Sequence, residues 1–332
     1  LSASCSQIDE TDTEVLLTST ASDNAMELGV RGSGNSLSFS DNAITAVGIA
    51  ADTVTLGSFT GSIAAESSGN SLSFSGSWSS TSGKYVVSAA GISATGSITV
   101  ADEFAGVISV TMDGNQCAGG HFTNSGALLL AGYGMTATGI TVNGQFNGDF
   151  TVTLSDNSGF SIAIAYGLKA ETITAGAFAG TITVSSGSGL AIGIQVSDRL
   201  ISVYDGDAFD INGAITSDHY GILSMNTLNL RISGTVTAAL AVATECYYDE
   251  ASATLFYSTD NDADQLELSD TARINGAIDL GAGVNSLTIA SGAMVNGNLL
   301  ASEGELNLTF ALDSENADAG YAIVNTDLND IS

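Results

Sequence analysis

Proline is missing altogether from this chain of 332 residues, and only six residues are lysine or arginine. Average usage, roughly 5%, would supply about 17 prolines. With 39 glycines present instead, turns are expected from Gly, Asn and Asp. The six bases stand against 36 acids, for a formal net charge of −30. A surface so negative repels phosphate, which excludes nucleic acid as a partner and disfavours anionic membranes. Cys5, Cys117 and Cys246 are too few for a disulfide framework and too scattered for a zinc cluster. No apolar run reaches the roughly 18 residues needed to cross a bilayer. A sustained 3.6-residue stripe is also lacking, so no helix is predicted. Neither a G-x-S-x-G elbow nor a phosphate-cradling glycine loop occurs.

What remains is apolar and weakly charged: 44% hydrophobic residues and only 13% charged ones. The apolar content is enough for a core, and the surface must be built mainly from Ser, Thr, Asn and Gly. A string of large apolar residue, any residue and Gly begins at Phe59, Phe104, Phe146, Phe178, Ile211, Ile232, Ile274 and Val295. Successive gaps in the numbering are 45, 42, 32, 33, 21, 42 and 21. A unit this short cannot bury its own apolar face and has to stack on copies of itself. Between these markers Thr, Val and Ile alternate, as in Thr172, Ile173 and Thr174. That is the period of a strand with one buried face. Gly34 to Ser40 recurs letter for letter as Gly69 to Ser75. A further block, Gly followed by a large apolar residue, appears at Gly48, Gly91, Gly134, Gly167 and Gly221.

The predicted fold is all-β: a right-handed parallel β-helix, or β-solenoid, with coils of about 21 residues. Its hand follows from the crossover rule for parallel strands. With roughly 4.8 Å between stacked strands, this gives about 15 coils and a rod near 70 Å. Phe59, Phe104, Phe146 and Phe178 should point inward. Residues 1–31 lack the repeat and read as an N-terminal cap, followed by solenoid repeats over 32–238. Residues 239–265 contain no glycine and read as an insertion or junction. Residues 266–332 form a second solenoid segment and the C-terminal end.

The string from Ala272 to Gly281, Ala-Arg-Ile-Asn-Gly-Ala-Ile-Asp-Leu-Gly, resembles coils of bacterial secreted β-solenoids. Autotransporter passengers and large repeat adhesins carry similar runs. The resemblance covers residues 32–310 at the level of architecture and implies one coil per repeat and a place outside the cell. The calcium-binding Gly-Gly-x-Gly-x-Asp repeats of toxin-like relatives do not occur here.

Few residues suggest chemistry. Asp205, Asp207 and Asp210 form one acid cluster; Asp260, Asp262 and Asp264 form another at the alternate spacing of a calcium loop. The second lacks the Gly and Glu of an EF-hand, since Gln265 and Thr271 occupy those positions. Calcium is the one metal these acids would take, and no other cofactor is expected. Cys117 and His121 supply two ligands where zinc needs four, and His219 reads as a loop residue. Trp78 and the tyrosines, among them Tyr85, Tyr133, Tyr166, Tyr204, Tyr220, Tyr247 and Tyr248, would suit sugar stacking only if they lined one exposed face.

The chain begins at Leu1 rather than Met, which reads as a processed chain or a piece of a longer one, and secretion is inferred. The expected function is that of a non-enzymatic, acidic structural protein at the cell surface or outside it, whose partner is a second copy of itself. Such a subunit would self-assemble into a filament or surface layer, with the segment from Phe310 to Val324 docking on a neighbour. The reading from a different class is the rod of an adhesin that binds carbohydrate or protein. A polysaccharide-degrading enzyme is more remote. A lyase acting on anionic sugar needs clustered bases, whereas Arg31, Lys84, Lys169, Arg199, Arg231 and Arg273 are scattered.

Overall fold

Alternating apolar and hydroxyl residues extend naturally into pleated strands with one apolar face, and such strands are stable once their edges pair with copies of themselves and that face is buried inside the stack. A computed structural model describes residues 2–5, 16–22, 25–29, 44–79, 85–123, 128–187, 189–204, 206–226, 228–250, 254–258, 262–302, 304–311 and 323–325. It is all-β. Among the described residues every strand pair is parallel except one, the antiparallel hairpin of Cys246–Asp249 with Thr254–Tyr257. None of these residues belongs to a helix long and apolar enough to cross a membrane, which says nothing of strands.

Two apolar columns run through the stack. The first links Phe59, Phe104, Phe146, Phe178, Ile211, Ile232, Leu268, Ile289 and Phe310, each paired with the next. The second places Leu17, Ile63, Ile108, Phe150, Ile182, Ile215, Val236, Ile274, Val295 and Val324 in register, one above the other. The four marker phenylalanines are all buried, as expected. Their rings stack or meet edge to face: 5.1 Å between the centroids of Phe59 and Phe104, 5.8 Å for Phe104 and Phe146, and 5.1 Å for Phe146 and Phe178. Aromatic pairs favour this geometry beyond what burial alone provides.

The eight markers therefore do not form one line. Six belong to the first column, whereas Ile274 and Val295 belong to the second. The coil also changes length. Phe59 pairs with Phe104, whereas Ile211 pairs with Ile232, a coil less than half as long. Longer coils include an extra sheet formed by Ala25–Gly29, Ser71–Ser79 and Gln116–Thr123. Among the described residues that face ends with Ser158, which bridges Gln116. The second column thus passes through ten levels rather than the expected 15, which is roughly 45 Å of stacking at the usual strand spacing.

Glycine marks one corner. An ideal Cβ at Gly134 would sit 2.4 Å from the carbonyl oxygen of Gly167, and one at Gly167 would sit 2.5 Å from that of Gly193. Backbones approach too closely there for any side chain. The block read from the sequence at Gly48, Gly91, Gly134, Gly167 and Gly221 is this column.

A second corner is held by asparagine. Gly69, Gly114 and Asp156 all have positive φ (63°, 62° and 52°), and each turns the chain directly into a buried Asn. The backbone N–H groups of Asn70 and Asn115 donate to the side-chain oxygen of the Asn one level on, Asn115 at 3.3 Å and Asn157 at 2.9 Å. The side-chain amides continue the ladder: Asn70 Nδ2 to Asn115 Oδ1 at 2.7 Å and Asn115 Nδ2 to Asn157 Oδ1 at 2.9 Å. Buried backbone donors at a corner cannot reach a strand partner, and the amide supplies one.

Candidate functional site

Of the six aspartates expected to bind calcium, Asp205 and Asp260 lie outside the described residues. Asp207 is exposed in the loop before the strand Phe209–Ile211 and donates its backbone N–H to the carbonyl of Tyr204 at 3.1 Å. Asp210, within that strand, accepts from Ser233 Oγ at 2.7 Å. Asp262 is exposed, but Asp264 is completely buried. Asp264 Oδ1 accepts from the backbone N–H of Leu228, and its own N–H donates to Asn285 Oδ1 at 2.9 Å. Asp264 thus occupies a ladder position of the asparagine kind. Its Oδ2 and Thr244 Oγ1 are both buried and make no hydrogen bond of good geometry, although the hydroxyl lies near enough to favour the carboxylate. Burial pushes the Asp264 carboxyl up to about 6, while Thr244 and the Leu228 N–H pull the other way and Asp262 adds to the rise. Among the described residues no three His, Cys, Asp or Glu side chains gather as a metal site would require.

The cysteines are quiet. Cys117 and Cys246 are free thiols, pushed up by burial to about 11 and about 12 respectively, the latter also by Asp279 and Glu245. A thiol so far from ionising is neither nucleophile nor ready ligand at neutral pH. The side chains of Cys5 and His121 lie outside the described set. His219 accepts the backbone N–H of Ala191 at 3.3 Å through Nδ1.

On one flank the outward face of the stack is itself apolar. Leu129, Ile162, Ile164, Tyr166, Ile192 and Leu223 form a second buried cluster with Cys246 and Tyr248 of the hairpin. The Gln195 side chain fastens the hairpin as a strand would: Oε1 accepts from Tyr248 N–H at 3.0 Å and Nε2 donates to its carbonyl at 3.1 Å. Lys169 pairs with Glu250 and lies 4.8 Å from the ring centroid of Tyr166 and 5.4 Å from that of Tyr133. Those two rings are parallel at 5.4 Å. Burial first, then Glu250, pushes both phenols well above their ordinary range. The cluster binds the hairpin. Among the described side chains the tyrosines do not line one exposed face; those of Trp78, Tyr85 and Tyr321 are outside the described set.

Tyr204 differs, being 62% exposed. It overlooks an open groove of about 770 Å³ whose floor is Gly176, Ala177 and Ala179. Gln145, Asp210, Arg231 and Glu267 succeed one another along the outward row bordering it, with Ala177 between Gln145 and Asp210. Arg231 Nε stands 3.7 Å from Glu267 Oε1. Arg199 pairs with Asp198, and Arg273 donates to the carbonyls of Ala272 and Gly292.

A further surface is Gly304–Ala311, among the described residues the last strand of the first column's sheet. It repeats its neighbour in register, with Leu308 over Leu287 and Phe310 over Ile289. Leu287 and Ile289 are fully buried, yet Phe310 is 48% exposed. Tyr321 and Leu312, expected to share in docking, lie outside the described residues.

The described stack defines a class, an all-β chain of parallel strands in repeated levels. Comparisons with protein families, with curated proteins and with solved structures return no match to this chain.

Proposed function

We propose that the chain is a right-handed parallel β-helix, its shortest coil spanning about 21 residues, and a non-enzymatic structural subunit outside the cell. In this reading it is related in architecture to secreted bacterial β-solenoids and associates end to end with copies of itself. The observation that carries it is the terminal strand Gly304–Ala311, which repeats the register of a buried level while leaving Phe310 exposed. A parallel edge of this kind offers a row of backbone donors and acceptors that another strand can extend. The first strands of a second copy would supply that level, and calcium on the flank at Asp207 and Asp210 would reduce the overall negative charge. With a net charge of −30 per chain, association requires salt or divalent ions to screen repulsion. The test is the mass distribution by analytical ultracentrifugation and electron microscopy at low and at seawater-like salt. Salt-dependent oligomers or filaments that Phe310→Glu abolishes are expected. Strictly monomeric material at high protein concentration and high salt overturns the proposal.

A further inference from the structure

We propose that the groove beside Tyr204 binds a neutral oligosaccharide, a ligand site independent of end-to-end association. The argument starts with the loop between Ser202 and Phe209. Tyr204 N–H donates to Ser202 Oγ at 3.2 Å, and the Tyr204 carbonyl accepts from Asp207 N–H at 3.1 Å. These bonds hold the loop so that the tyrosine ring lies over Gly176, where even an added Cβ would approach a ring carbon to 2.9 Å. The ring is thus seated against the backbone at its edge, yet 62% exposed. An amphipathic ring left open beside a cavity is a platform for a ligand that has an apolar face and polar edges.

The bordering row supplies the polar edges. Gln145 and Asp210 lie two levels apart with only Ala177 between them, which leaves a notch roughly 9–10 Å wide at the usual strand spacing. A sugar hydroxyl is both donor and acceptor. The amide of Gln145 answers with both, the carboxylate of Asp210 accepts and the guanidinium of Arg231 donates. Asp210 is already oriented by Ser233, so it borders the notch with reduced freedom, and Arg231 stands one level beyond it beside Glu267. Charge selects within the class. Asp207, Asp210 and Glu267 outnumber Arg231, the one base among the described residues bordering the groove. Uronate or sulfated chains would be repelled, and neutral hexose or pentose chains would not.

The experiment uses the whole chain and a panel of neutral hexasaccharides (cello-, manno-, malto- and xylo-) with oligogalacturonate as the anionic probe. Binding is followed by calorimetry and saturation-transfer NMR. Two variants test the site from different sides: Tyr204→Ala removes the platform, and Ala177→Trp fills the notch. Both positions are outward, so melting should match the parent chain. At least one neutral probe should bind, with affinity reduced at least about tenfold in both variants, while oligogalacturonate binds more weakly. Failure of all neutral probes to bind, binding unaffected by both substitutions, or preference for oligogalacturonate overturns the proposal. None of these results depends on whether the chain forms filaments.

Discussion

The levels around Asn115 and those around Asp264 meet the same need with different atoms. In the first region an asparagine oxygen accepts a backbone N–H from the adjacent level, and its amide nitrogen donates to a carbonyl, Asn115 Nδ2 to Ser67 O at 2.8 Å and Asn157 Nδ2 to Met112 O at 2.9 Å. In the second region Asp264 Oδ1 performs the accepting half, for Leu228, but Oδ2 brings an acceptor where the asparagines have a donor. One level on, Asn285 restores the full pattern by donating to the carbonyls of Leu280 and Ala282. The corner therefore demands an acceptor for the backbone N–H and a side chain of that shape. It tolerates an unsatisfied second oxygen when the carboxyl can hold a proton.

The apolar columns are common to both regions, and breaking them gives the largest expected effect. Phe146 is 1% exposed between Phe104 and Phe178, so Phe146→Ala should cost about 4 kcal/mol in transfer and cavity terms. The same truncation at Phe310, which occupies the same column at an exposed level, should cost under about 1 kcal/mol. Urea unfolding of the two variants measures the difference. Equal losses would mean that Phe310 is covered in solution, as an end-to-end contact would make it.

The next experiment turns one region into the other. Asn115→Asp places an oxygen against Ser67 O and Asn157 Oδ1, which lie 2.8 Å and 2.9 Å from the present nitrogen. A loss of about 3 kcal/mol at pH 7 is expected, shrinking at pH 4 as the acid takes up a proton. The reverse exchange, Asp264→Asn, should stabilise. The Asp264 carboxyl moves from an ordinary 3.8 to about 6 on folding. Between those values the folded chain binds more protons than the unfolded one, so this group's contribution worsens as pH rises from about 4 to about 6. Above that range the cost is fully present, roughly 2–3 kcal/mol. The amide removes it, so the variant should gain that much at pH 7 and almost nothing at pH 4. A variant whose gain does not depend on pH would refute the titration of Asp264.

Much of the stack is legible in the sequence because stacking leaves a one-dimensional trace. Phe59, Phe104, Phe146 and Phe178 recur because each fills the same interior position, and the Gly48 to Gly221 block recurs because one corner excludes a Cβ. Coil length is less legible. The short interval of about 21 residues looks like the universal coil, but a longer coil keeps the same columns while adding a face, as Ser71–Ser79 does. Alternation also cannot tell Ile274 from Ile232, since both are inward positions of different columns. The asparagine ladder leaves a fainter trace: Asn70, Asn115 and Asn157 each follow Gly or Asp at a turn, and each precedes a polar residue that starts or borders a strand. Spacing alone groups Asp264 with Asp262, although one is interior and the other exposed. The groove is beyond the reach of sequence, because Tyr204 comes near Ala177 and Gln145 only when separate levels are stacked.

The smallest expected effect separates the two regions by their surfaces. Asp207 and Asp262 are exposed in the later levels, whereas Asp113 and the asparagines of the early corner are engaged in hydrogen bonds. A cation that binds only the folded chain stabilises it by mass action, about 1.4 kcal/mol at ten times its dissociation constant. For a chain of this length that corresponds to a rise of about 2 °C in Tm. Calcium at low salt should therefore raise Tm slightly, chelator should reverse the rise, and Asp207→Asn combined with Asp210→Asn should reduce it. Asp264→Asn should leave the calcium response intact, because its carboxyl faces the ladder rather than solvent. A melt that ignores calcium and chelator at low and moderate salt would refute calcium binding at these acids. A response lost with Asp264 alone would contradict the inward placement on which the comparison of the two corners rests.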